Sequence, residues 1–280
     1  MPNTPNWNLD GPLLLVGAGK MGSAMLSGWV AAGVKPQDVV VLDPHPSREA
    51  LALCCDRSIE MAAAIEQVIG VEPSVIVMAV KPQSMGGLFP ALAQIAGPAT
   101  ITLSIAAGKT IESFEQHLPP GSAVVRAMPN TPASIGRGMT VLCANAHATP
   151  AQRRQCEDLM LAAGEAGWID DESLMDAVTA VSGSGPAYVF LLAEALADAG
   201  VKAGLAPELA MQLARTTIAG SGELMRQQPD VHAGVLRQNV TSPGGTTAAA
   251  LEVLMANDGL ASLMERAVLA AVARGKALSK

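Results

Sequence analysis

Aromatic rings are nearly missing from this chain: its 280 residues include three Phe, three Trp and one Tyr. A core so poor in rings has to be built from Ala, Val, Leu, Ile and Met, the side chains of packed helices and of strands buried on both faces. Positive charge is scarce too, with 18 Lys and Arg against 25 Asp and Glu, a formal net charge of −7. That balance argues against nucleic acid or an anionic membrane surface and for a small-molecule substrate. The four cysteines, Cys54, Cys55, Cys143 and Cys156, form no CxxC pair and have no histidine at ligand spacing. Neither a metal site nor a disulfide framework is expected, and reduced thiols point to a cytoplasmic protein. His45, His117, His147 and His232 are scattered, and none reads as a base. The opening MPNTPNWNLDGP lacks a basic stretch followed by an apolar run, so a loose leader is expected there rather than a signal peptide. Charge is absent from Gln83 to Gly108, but Pro90, Gly97 and Pro98 interrupt that stretch. TITLSIA reads as a buried strand, and a soluble chain is expected.

What is present has a clear order. Short apolar runs, LLLV (13–16), VVVL (39–42), VIVMAV (75–80), TITLSI (100–105) and AVVRAM (123–128), alternate with helix-length segments. This is the pattern of a doubly wound parallel sheet. MTVLCAN (139–145) and GWID (167–170) are candidates to extend it. After Asp171 strand-like runs vanish, and Ala- and Leu-rich stretches continue to the end, broken at SGSGP, AGLAP, QQPD and TSPGG. The expected architecture is an α/β Rossmann-type domain over residues 10–169 and an all-α domain over 170–280. YVFLLAEALADAG carries charge only at Glu194 and Asp198. A small helical domain cannot bury so apolar a helix alone, which implies cover from another chain.

Directly after the first strand comes GAGKMG, with Gly17, Gly19 and Gly22 in G-x-G-x-x-G spacing around Lys20 and Met21, and a helical run behind it. Gly17 permits the tight turn, Gly19 lets a pyrophosphate approach the backbone, and Gly22 lets helix pack on strand. Asp43 closes the second strand, where a ribose-binding acid belongs. It favours NADH, whereas Ser47, Arg48 and His45 in DPHPSR suit a 2′-phosphate; the reading leans to NADPH with NADH accepted.

TSPGGTT (241–247) poses a different problem. Ser242 and Pro243 read as a helix start, yet Gly244 and Gly245 in a first turn cost stability, so either something approaches the bare backbone or the turn needs positive φ.

GAGKMG, AVKPQ (79–83), MPNTP (128–132), SGSGPAY (182–188) and TSPGGTT, taken in that order, closely resemble the pyrroline-5-carboxylate reductase family. The resemblance covers nearly the whole chain, and AVKPQ with SPGGTT is far more specific than the glycine motif. It implies hydride transfer from NAD(P)H to give L-proline, and a homodimer through the helical domain, with a decamer of dimers as the larger assembly that stays open. It also implies that Ala79, Val80, Lys81, Pro82 and Ala106 border the cofactor, that Asn130 lies near the nicotinamide, and that SPGGTT holds substrate. One departure is visible: RSIEMAAAIEQVIGVEPSVIV has no Asn before the AVKP strand, where the family usually has one, which puts an adenosine-side contact in doubt.

The chemistry suits these residues. Amides at Gly244, Gly245 and Thr246 with the Ser242 hydroxyl would form an anion nest for the substrate carboxylate. Reduction of a protonated imine yields an amine directly, so no strong acid is needed, and neither SGSGPAY nor TSPGGTT contains Lys, His, Asp or Glu. Thr247 is, by family analogy and position, the candidate partner of the imine nitrogen. A β-hydroxyacid dehydrogenase-like ketone reductase and a non-catalytic dinucleotide-sensing dimer stay open as alternatives. SGSGPAY reads as a structural helix start, and Lys81 as a cleft residue or a strand end.

Overall fold

A computed structural model describes Trp7 and residues 9–278, the Pro82 side chain excepted. Most of the expected leader therefore lies outside the described residues. The chain forms two compact units, one ending at Gly183 and resuming at Val272, the other spanning Ser184–Ala271.

The first unit is built on eight strands: β1 (Leu13–Val16), β2 (Val39–Leu42), β3 (Glu60–Ala62), β4 (Val75–Met78), β5 (Ile101–Ser104), β6 (Ala123–Met128), β7 (Gly138–Ala144) and β8 (Gly164–Trp168). Its helices are α1 (Lys20–Ala31), α2 (Arg48–Arg57), α3 (Phe89–Ile95), α4 (Ile111–Glu115), α5 (Pro150–Leu161) and α6 (Met175–Val178). The strands form one sheet in the order β3-β2-β1-β4-β5-β6-β7-β8. Every pairing is parallel except β6 with β7. That reversal follows from chain length, because residues 129–137 are too few for a crossover helix and allow only an antiparallel return. Alternation along β1 sends Leu13 and Leu15 into one apolar layer and Leu14 and Val16 into the other. Both faces of the sheet are therefore covered, as the unbroken apolar runs require. Trp29 of α1 is fully buried, and its Nε1 donates to the Leu159 carbonyl of α5 at 2.9 Å.

Three strands differ from expectation. β3 reads EMA, too short and too mixed to signal a strand, and it survives as the edge partner of β2. β8 begins at Gly164 rather than Gly167, its start disguised by a glycine at φ +149° that crowds the Gly138 backbone. β4 ends at Met78, where the chain turns out of the sheet into Ala79–Lys81.

The second unit is all helix: α7 (Gly185–Lys202), α8 (Pro207–Gln227), α9 (Ala233–Asn239), α10 (Thr246–Leu254) and most of α11 (Leu260–Leu278). Its own core is Ala197, Ala210 and Ala214. Phe190 and Leu191 stand 63% exposed and Leu192 51% exposed, far more apolar surface than a lone soluble unit displays. Among the described residues one helical run, Glu172–Lys202, is long and apolar enough to cross a membrane.

One ion pair fixes the start of that run. Arg126 of β6 is buried, and its Nη1 lies 2.9 Å from Glu172 Oε1, which also accepts the Ile111 N–H at the start of α4. Removing the guanidinium leaves a largely enclosed carboxylate with one neutral donor. Arg126→Met is expected to lower unfolding free energy by about 2 kcal/mol, the low side for a broken buried pair because Glu172 keeps some water contact. Urea titration measures it, and Glu172→Gln added to Arg126→Met is expected to recover part of the loss.

Candidate functional site

The sheet order reverses direction between β1 and β4, and the residues read as cofactor-binding lie at or beyond the carboxyl ends of β1, β2, β4, β5 and, for Asn130, β6. Such a crevice is where open α/β sheets bind ligands. Gly17 has φ +97°, and a Cβ there would lie 2.8 Å from the Ala79 carbonyl carbon and oxygen. A Cβ on Gly22 would overlap the Gly17 carbonyl. Both glycines are thus required by packing. Gly19 is different: it is extended, at φ −72°, and nothing lies within 4 Å of the position a Cβ would take. It caps α1 with no side-chain cap and no acid in the first turn, so the Lys20, Met21 and Gly22 amides have no partner four residues back. Bare amides and a helix N-terminus beside open space suit a diphosphate.

Around this loop, Ala79 donates its N–H to the Val16 carbonyl at 2.8 Å. Val80 is half-buried, Lys81 is exposed, and Pro82 opens a 3₁₀ turn to Ser84. Ala106 is buried, with its N–H on the Ser104 hydroxyl at 3.3 Å. Asp43 accepts the Ala18 N–H at 2.6 Å and the His45 N–H at 2.7 Å. Arg48, the first residue of α2, is exposed and forms no ion pair among the described residues. In the segment without the family's usual Asn, the Gln67 side chain accepts the Ala63 and Ala64 N–H groups and holds a tight turn. A cavity of about 550 Å³ opens at the opposite, amino-terminal end of β4 and β5, beside Ser74 and Thr100, and the site residues do not line it.

Asn130 is placed as a brace. Its Oδ1 accepts the Met139 N–H at 2.9 Å, while Nδ2 donates to the Ser182 carbonyl and hydroxyl at 3.3 and 3.2 Å. The carboxamide is used within the protein, tying MPNTP to the π-helical turn Thr179–Gly183. A Cβ on Gly183 would come 2.7 Å from Met128 Cε, the mobile end of a flexible side chain. Sequence reading did not pair Ser182 with Asn130, because the contact spans 52 residues.

In the second unit, helix α10 starts at Thr246 with Gly245 as its cap, so Ser242 and Pro243 do not open the helix as their residue types suggested. They form a preceding turn in which the Gly245 N–H donates to the Ser242 carbonyl at 3.1 Å and Gly244 has φ +69°. Proline followed by a positive-φ glycine is the type II signature. The Gly245 amide is committed to that turn, and the amides left bare are those of Thr246, Thr247 and Ala248. Thr247 is half-buried at this helix start.

The thiols offer no nucleophile inside the core. Burial pushes Cys54, Cys143 and Cys156 upward, Cys143 further so by the Glu172 charge, and all three stay protonated at neutral pH.

Comparison with known proteins decides the kinship. The chain is 40% identical to pyrroline-5-carboxylate reductase of Pseudomonas aeruginosa, over 96% of this chain and 97% of that one. The chain belongs to the pyrroline-5-carboxylate reductase family. The family profile described as pyrroline-5-carboxylate reductase dimerisation matches residues 172–278. The profile described as NADP oxidoreductase, coenzyme F420-dependent, matches 13–108. A solved pyrroline-5-carboxylate reductase from Coxiella burnetii superposes with a TM-score of 0.88 at 34% identity, covering 96% of this chain and 99% of its own. Plasmodium falciparum pyrroline carboxylate reductase, solved with NADP bound, gives 0.80 at 32% identity, covering 97% and 99%.

Within this reductase family fold, the two kinds of glycine separate experimentally. Gly19→Ala is expected to leave the melting temperature within about 2 °C, since the added methyl meets nothing. Dinucleotide affinity is expected to fall by about tenfold or more if that methyl fills space a diphosphate would take. Thermal melts and a binding titration on one preparation check both halves; Gly22→Ala is expected to lower the melting temperature.

Proposed function

We propose that this chain reduces L-1-pyrroline-5-carboxylate to L-proline, the last step of proline biosynthesis, using NADPH, with NADH as the alternative reductant. As an enzyme it is then an oxidoreductase acting on a CH–NH bond. The observation that carries the reading is an uncapped helix start at SPGGTT, with no titratable side chain in the motif, in a chain that also has a bare glycine loop at its sheet switch point. The NADP bound to the Plasmodium relative supports the cofactor.

The substrate carries one carboxylate and one imine. The Thr246, Thr247 and Ala248 amides with the Ser242 hydroxyl hold the carboxylate, where the positive end of the α10 dipole favours it. Gly244 and Gly245 keep that surface free of side chains. The Thr247 hydroxyl orients the imine nitrogen. A reduced nicotinamide, when bound, would supply the hydride for the imine carbon. Gly17, Gly19 and Gly22 with the Lys20 and Met21 amides bind its diphosphate, Ala79–Pro82 and Ala106 border it, and Arg48 takes the 2′-phosphate. Asn130 supports this border by bracing MPNTP. The nitrogen arrives protonated and leaves as an amine, so the protein need only orient and exclude water, and the lack of a Lys or His at SPGGTT follows.

The exposed apolar side chains of α7 and α8 are then covered by a second copy of this chain, in a cytoplasmic homodimer, with a decamer of dimers as the larger assembly. The family profile described as dimerisation supports this reading over a lipid-facing one, as do Glu194 and Asp198 within the apolar run.

Oxidation of NADPH on adding pyrroline carboxylate, compared with NADH and with 3-hydroxy or keto acids, tests the assignment; no turnover of the imine, or faster turnover of a ketone, overturns it. Thr247→Ala is expected to lower turnover by about tenfold to a hundredfold while NADPH affinity stays within about twofold. Gly245→Val is expected to raise the KM for pyrroline carboxylate much more than that for NADPH. Equal effects would remove the nest from the mechanism.

A further inference from the structure

An acid at the end of the second strand reads, in sequence, as the ribose ligand. In the structure both oxygens of that acid are taken by main chain: Asp43 Oδ2 accepts the Ala18 N–H at 2.6 Å and Oδ1 the His45 N–H at 2.7 Å. Ala18 sits in the centre of the glycine loop and is 0% exposed. Its carbonyl is held from the same side, by the Ser47 N–H at 3.0 Å, while Gly17 N–H reaches the Leu42 carbonyl at 2.9 Å. The turn Asp43–Ser47 contains two prolines, which donate nothing, so its amides beyond Asp43 are those of His45 and Ser47. Both work for the loop, His45 by holding Asp43 and Ser47 by holding Ala18 directly. Ser47 is fixed in turn, because its hydroxyl caps α2 on the Ala50 N–H at 3.1 Å.

We propose that Asp43 is a positioning residue that clamps the Ala18 peptide and so holds the glycine loop in its phosphate-receiving form for NADPH and NADH alike. The proposal rests on the reading of this chain as a dinucleotide-dependent reductase. A carboxylate that swung out to a ribose would orphan the buried Ala18 amide, and an unsatisfied buried donor is costly. The clamp is shared by both nucleotides, since they differ only beyond the diphosphate. The Arg48 guanidinium, without an ion pair among the described residues, is a group that can tell them apart.

Asp43→Asn keeps the shape but offers one carbonyl oxygen to two donors, so it can hold Ala18 or His45 and not both. Dissociation constants for NADPH and NADH, measured by calorimetry, are expected to rise together by about tenfold, with their ratio within about threefold of the unsubstituted protein and the KM for pyrroline carboxylate unchanged. Arg48→Ala is expected to move the ratio toward NADH and leave NADH affinity as it was. A ratio shifted more than about tenfold by Asp43→Asn, or two unchanged affinities, overturns the clamp. Hydrogen exchange on the unsubstituted protein gives a measurement independent of how the variant folds. The clamp predicts an Ala18 amide protected in the free protein and equally protected with NADH bound; a ribose-reading Asp43 predicts that NADH lowers that protection. An unsubstituted chain that bound neither nucleotide would overturn the reductase reading, and the clamp with it.

Discussion

The constraint on which the sheet unit depends is the passage of one backbone against another where β1 ends. At Gly17 the chain turns out of the sheet against the Ala79 peptide leaving β4, with no room for even a methyl group between them. From there the strand order runs one way through β2 and β3 and the other way through β4 to β8. Parting strands open a crevice at their carboxyl ends, and the same turn starts α1 with its amides bare. Close packing at Gly17 and Gly22 and open space at Gly19 are two sides of one arrangement: the loop is rigid where the protein touches it and empty where a ligand would.

The helical unit is governed by a different balance. Its buried core is three alanines, and the large apolar side chains of α7 and α8 point elsewhere. At roughly 25 cal/mol per Å² of apolar surface, so thin a core cannot offset the entropy of ordering its helices. The missing stabilisation must come from surface the unit does not itself cover. Apolar helices with Glu194 and Asp198 inside the run suit assembly, in which folding and association support one another.

Much of this was legible before any coordinates, and the reasons are local. β1, β2, β4 and β5 announce themselves because a strand buried on both faces must be apolar at every position. The glycine loop is legible because strand, turn and helix are consecutive. β3 was illegible because an edge strand of three residues is set by its neighbour rather than by its own side chains. The helix start at Thr246 was misplaced because Ser-Pro serves equally well in a type II turn, and the choice is made by Gly244 at positive φ. Asp43 shows the limit most sharply. Its position was readable and its partners were not, since the Ala18 amide lies 25 residues away and only the folded sheet brings the two turns side by side.

The same reasoning explains why a site for reducing an imine can be built from so little. Main-chain N–H groups at the starts of α1 and α10 carry no titrating charge and cannot be protonated away. Side chains then serve to set the backbone. Asp43 holds Ala18, Asn130 holds Met139 and Ser182, and Glu172 holds Ile111 and Arg126. In each case an oxygen of a polar side chain accepts from an amide or a guanidinium, which fixes a turn. A reaction that needs no acid leaves polar residues free to set geometry, and the lack of His and Lys in SGSGPAY and TSPGGTT fits that chemistry.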